Sequence, residues 1–100
     1  MLLELVKDHC GVTWDDQDAR FISMIERAKA SLNKLMGAEL DYEKPGPAQD
    51  LLLARCRYDY NNALEYFEQN FAREIFRLQL QVAAEEVSTD GGAEEAGVPR

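Results

Sequence analysis

The feature that most constrains this chain is a recurrence of apolar residues at steps of four and three. Phe21, Ile25, Ala28, Leu32 and Leu35 are spaced four, three, four and three apart. That spacing lines them along one stripe of an α-helix and is incompatible with a strand, whose side chains alternate between two faces. The rhythm returns twice. Leu53, Cys56, Tyr60, Ala63 and Phe67 step by three, four, three and four, and Phe71, Ile75, Leu78 and Val82 step by four, three and four. No run of alternating apolar residues competes with these stripes and no long internal repeat is visible, so the expected fold class is all-α.

Helix boundaries follow from the residues between the stripes. Leu2, Leu3, Leu5 and Val6 give a short N-terminal helix that Gly11 stops. Thr13 is the expected cap of a long helix over about 14–36: its side chain would accept from free backbone amides, and Asp15, Asp16 and Asp18 would face the positive end of the helix dipole. Ile22, Met24 and Met36 widen that helix's stripe, so it should touch more than one neighbour, and Gly37 supplies a left-handed exit. Pro45-Gly46-Pro47 punctuates a flexible loop, and Pro47 suits the first turn of the next helix because its missing N–H would be unpaired there anyway. That helix is expected over about 47–67, with Asn61-Asn62 lowering its propensity without ending it. Asn70 then caps a last helix over about 70–86. The expected architecture is a small bundle of about four helices in one domain, 1–87, followed by a flexible, disordered acidic tail over 88–100 with almost nothing to bury.

Composition narrows the function classes. Among 100 residues, a formal charge of −8 argues against a general nucleic-acid binder, whose affinity comes from Lys and Arg neutralising phosphates. Cys10 and Cys56 have neither a CxxC spacing nor clustered histidines, so no zinc site, other metal or disulfide framework is indicated and a reduced, intracellular setting fits. No segment reaches the roughly 18 apolar residues of a membrane span, and the first residues do not read as a secretion signal.

Nothing in the sequence assembles a reaction centre. His9 and Cys10 are adjacent, which on a helix turns their side chains about 100° apart, away from a nucleophile–base geometry. Asp15, Asp16 and Asp18 have the expected capping role, while Glu39, Asp41 and Glu43 sit in a loop with nothing to raise a carboxyl pKa. Neither a calcium loop nor a phosphate-cradling glycine motif occurs, so the expectation is no enzyme and no cofactor. Candidate contact residues remain. Trp14 either staples the chain onto the core, the favoured role, or anchors a partner. Tyr58 belongs to an aromatic stripe read first as packing and second as interface. Arg73 and Arg77, one turn apart, form a local positive patch suited to acidic loops of a neighbouring copy, as Arg55 and Arg57 do only in part.

The order of elements and three stretches resemble the head–tail connector (adaptor) proteins of long-tailed bacteriophages and prophages. The stretches are Met1-Leu2-Leu3-Glu4-Leu5-Val6-Lys7, the segment DDQDARFISMIERAKASLNKLMG from Asp15 to Gly37, and Pro47 through Leu80; together the resemblance covers about residues 1–86. It implies a structural protein that forms a homo-oligomeric ring beneath the portal protein, a dodecamer in the virion, and a platform for the tail-completion or stopper protein. DNA would pass through the centre without specific binding, and an acidic lumen would let it slide. The chain would reside in the host cytoplasm before assembly and at the head–tail junction of the virion afterwards, with no membrane partner. The resemblance also implies portal docking by the C-terminal segment, which singles out Gln79, Gln81, Glu85 and Glu86 and the tail after them. The alternative, from a different class, is a small helical protein–protein interaction or regulatory module with no virion role. A helical DNA-binding module would need a basic recognition helix, and the third helix instead mixes Asp50, Asp59 and Glu65 with its arginines.

Overall fold

Three chain reversals, each closed by a residue in the left-handed conformation, set the architecture, and the computed structural model describes them within residues 2–90, with side chains described to Glu85. Helix α1, Leu2–His9, ends in a left-handed Gly11 at φ +76°. The amide of Val12 donates to Lys7 O at 2.8 Å and that of Gly11 to Asp8 O at 3.1 Å, the paired bonds of a Schellman cap. Helix α2, Asp18–Met36, ends the same way in Gly37 at φ +70°, with the amides of Gly37 and Ala38 both donating to Asn33 O. The expected stop at each glycine is therefore present.

The third reversal departs from expectation. Helix α3, Pro47–Tyr60, begins at Pro47 as its chemistry requires, but it does not run on to residue 67. Asn62 adopts φ +58°, its amide donates to Asp59 O at 3.1 Å, and the amide of Ala63 donates to Tyr58 O at 2.8 Å. This is another Schellman cap, with asparagine in the left-handed position that glycine usually fills. A 3-10 turn, Leu64–Tyr66, and a single-turn helix α4, Phe67–Asn70, follow before helix α5, Ala72–Asp90. Asn70 does not cap α5; its side chain donates to Tyr58 Oη at 3.0 Å, and Phe71 O accepts the first turn's bond from Ile75 N. The regular structure among the described residues is thus all helical, in five helices rather than about four. Helix α5 continues through Ser88–Asp90, where the tail was expected to begin; residues 91–100 of that expected tail lie outside the described residues.

The start of α2 is also different. Residues 12–14 carry no helix, Thr13 makes no cap, and α2 begins at Asp18 after Gln17. What holds this turn is a buried cation. Lys7 Nζ, on a side chain only 5% exposed, donates to Asp15 Oδ1 and Asp18 Oδ1, each at 2.8 Å. A buried ammonium is tolerated only when paired, and these two carboxylates raise the Lys7 pKa well above its ordinary value, the hydrogen bond to Asp15 contributing most and that to Asp18 next. The acidic cluster therefore ties α1 to α2 instead of capping α2.

Helix α2 is the central element, packed against α1, α3 and α5. Phe21, Ala28 and Leu32 of its expected stripe are fully buried, joined by Met24, while Leu35 is half-buried and Ile22 lies out in solvent. Leu51, Leu52, Ala54 and Cys56 of α3 complete the core with Val6 of α1, Phe67 of α4 and Ile75, Leu78 and Val82 of α5. Burying one such large side chain stabilises the fold by roughly 1.5–3 kcal/mol, so the core's handful of fully buried residues carries much of the fold. The loop between α2 and α3 is not slack. Tyr42 is buried in it, donating to Asn33 Oδ1 at 2.7 Å, while Gln49 Nε2 donates to Tyr42 O at 3.1 Å. Among the described residues, no helix is long and apolar enough to cross a membrane.

Candidate functional site

Helix α5 carries two apolar stripes. Ile75, Leu78 and Val82 face α2 and α3 and are buried, as their spacing predicts. Phe76 and Leu80 also stand one turn apart, and at about 100° per residue they project from nearly the opposite side. They are 58% and 56% exposed. Ala83 falls on the same outer stripe and is exposed, offering a small residue that lets another body approach closely. Arg73 and Arg77 flank this stripe on one side, both exposed and with no ion pair among the described residues.

A helix of a single globular domain normally shows one apolar face to its core and a polar face to water. The outer side of α5 breaks that rule over two turns, with a basic flank in a chain of strongly negative charge. Such a surface can bury apolar area against an acidic-rimmed partner, the aromatic ring providing most of the buried area and the two guanidiniums fixing orientation.

The other candidate residues divide between interior and surface. Tyr58 is half-buried and belongs to the fold, its ring edge-on to Phe67 and Phe71 at 5.9 and 5.6 Å and its hydroxyl accepting from Asn70. Gln79 Nε2 donates to Leu35 O at 3.0 Å, fastening α5 to the C-terminal end of α2, so its amide is committed within the chain. Gln81 and Glu85 are exposed and linked to each other at 3.3 Å across one turn. The side chain of Glu86 lies outside the described residues. Trp14 does not staple the core: it is 48% exposed, because the turn it occupies is fixed by Lys7 rather than by an indole packed beneath it.

Phe76, Leu80 and Ile22 are the surface residues that pattern reading missed. Each looks like a core residue one at a time. Only placing all apolar positions of a helix on one wheel shows that Phe76 and Leu80 lie opposite the stripe already assigned to the core. Elsewhere the thiols are muted: burial pushes Cys56 up to about 12, and desolvation also raises Cys10. Among the described residues, no group of three His, Cys, Asp or Glu side chains gathers as a metal site requires. Comparisons with protein-family models, curated proteins and solved structures find no match to this chain.

Proposed function

We propose that the chain is a structural assembly protein, a head–tail connector of a long-tailed phage or prophage. Copies close into a ring, a dodecamer in the virion, between the portal protein and the tail-completion or stopper protein. DNA passes through the ring's acidic centre without specific binding. The observation that carries this reading is the outer stripe of α5. A helix apolar on two opposite sides is suited to lie between two bodies, and its own chain supplies one of them. The resemblance of residues 1–86 to connector proteins supports the identity of the assembly, and the acidic composition suits a channel through which a polyanion slides.

The role is non-catalytic in this reading: the chain works by shape, and its activity appears only when copies meet a portal. The test is electron microscopy of the full chain mixed with the portal ring encoded in the same genome. A continuous collar of density below the portal is expected. A chain that stays monomeric or dimeric beside intact portal rings would instead be a small interaction or regulatory module.

A further inference from the structure

We propose that the outer stripe of α5 docks into a groove between α1 and α2 of a second copy of this chain, so that assembly proceeds head to tail. This deepens the ring reading above and rests on it. The groove is a shallow depression open to solvent, with room for about 210 Å³; Leu3 and exposed Ile22 line it beside the more buried Ile25, and Glu26, Lys29 and Glu43 rim it. An apolar cavity of ~150 Å³ accepts a benzene ring, so the groove has room for the side chain of Phe76.

Charge selects this occupant. Two copies that each carry −8 repel unless the contact places unlike charges together. Arg73 and Arg77 bring two positive charges to the stripe, and the groove's rim has two carboxylates against one ammonium. Lys29 is held loosely by Glu26 at 3.8 Å, an arrangement that an incoming guanidinium can displace. Glu43 takes part in no salt bridge among the described residues and its side chain is exposed. Pairing α5 with α5 across a twofold axis would instead bring the arginine-flanked stripes of both copies against one another and leave the groove empty.

Geometry gives the contact its consequence. The stripe is on the outer side of α5, turned from the core, and the groove lies beside α1 at Ile22, Ile25 and Lys29 of α2; among the described residues α5 makes no contact with α1, and its side-chain bond to α2 runs from Gln79 to Leu35, beyond the groove. One copy can therefore use both surfaces at once, each with a different neighbour. A contact between two unlike surfaces propagates, and it closes into a ring when the rotation per copy divides a full turn.

The test uses two full-length variants with complementary defects, Phe76→Glu on the stripe and Ile22→Glu in the groove. Both positions are more than half exposed or nearly so, and far-UV circular dichroism confirms that each variant keeps the fold. Sedimentation equilibrium is run on each alone, on their mixture and on the wild type up to millimolar concentration. The expected result is that each variant alone associates at least tenfold more weakly than the wild type, while the mixture forms a one-to-one dimer and nothing larger. Leu80→Glu is expected to behave as Phe76→Glu. An Ile22→Glu chain that dimerises alone would overturn the contact in favour of an α5–α5 pair. Variants that associate like the wild type would overturn it in favour of another surface, such as the one bearing Trp14. A wild type that remains monomeric at millimolar concentration also overturns it, whereas the ring reading stands or falls separately on the portal experiment.

Discussion

Replacing Asn62 by alanine separates two descriptions of the middle of the chain by the sign of its effect. Asn62 is exposed, its side chain makes no hydrogen bond among the described residues, and its φ is +58°. Truncating it removes no burial, so the change acts through the backbone alone. Holding an ordinary side chain in the left-handed region costs roughly 1–2 kcal/mol, less for asparagine, so Asn62→Ala should lower stability by about 1 kcal/mol. If Asn61 and Asn62 merely interrupted the propensity of a continuous helix over 47–67, alanine would raise stability by about 0.5 kcal/mol, because it is the better helix former. With a urea m-value near 1 kcal/mol/M for a chain of this size, the midpoint should fall by about 1 M. Asn62→Gly is the control and should match or exceed the wild type, since glycine adopts this conformation without strain. A midpoint that rises in Asn62→Ala, or an alanine variant more stable than the glycine one, would refute the left-handed cap and the break it imposes.

Three further outcomes follow from the interior. Phe67 is fully buried and stacked on Phe71 at 5.2 Å; Phe67→Ala should cost about 3–5 kcal/mol in thermal or urea unfolding, and a loss under ~1 kcal/mol would mean that the turn after α3 is not packed on the core. Burial holds the Cys56 thiol at about 12 while Cys10 is only half-buried, so an aromatic disulfide reagent at neutral pH should label Cys10 first and Cys56 only as the chain unfolds; equal rates would contradict this. The Lys7 pKa is raised above its ordinary 10.5, so the unfolded chain loses that proton first: its contribution to stability is complete below about pH 10.5 and declines as pH rises beyond it. Lys7→Met should flatten the Lys7 part of that alkaline loss, and an unchanged alkaline limb in the variant would remove Lys7 as its source.

What could be read from the sequence was set by how local each signal is. The stripes of α2 and α5 were legible because three- and four-residue steps report a helix face directly, and Phe21, Leu32, Ile75 and Val82 are buried as those steps require. Gly11 and Gly37 were legible because glycine at a helix end has one dominant use. Asn62 was not, since asparagine tolerates both a helix interior and a left-handed cap, and its choice depends on Phe67 turning back onto Tyr58. The role of Asp15 and Asp18 depended on Lys7, eight and eleven residues away, and local pattern favours the cap over the distant cation. Tyr42 looked like part of a polar loop until Asn33 supplied its hydroxyl with an acceptor. At the candidate surface, Arg73 and Arg77 are visible as a pair one turn apart, but Phe76 and Leu80 beside them are not, because a helix ordinarily has a single apolar side and Ile75, Leu78 and Val82 already supply it.

The role proposed for this fold is that of one unit of a ring on a portal. Its most direct test is the native mass of portal particles incubated with excess full-length chain, measured for the wild type and for Phe76→Glu. The wild type should add the mass of a dodecameric layer, reached in one cooperative step, and Phe76→Glu, with its outer stripe spoiled, should leave the layer incomplete. Portal particles whose mass is unchanged by the wild-type chain, or that bind single copies independently, would contradict the account.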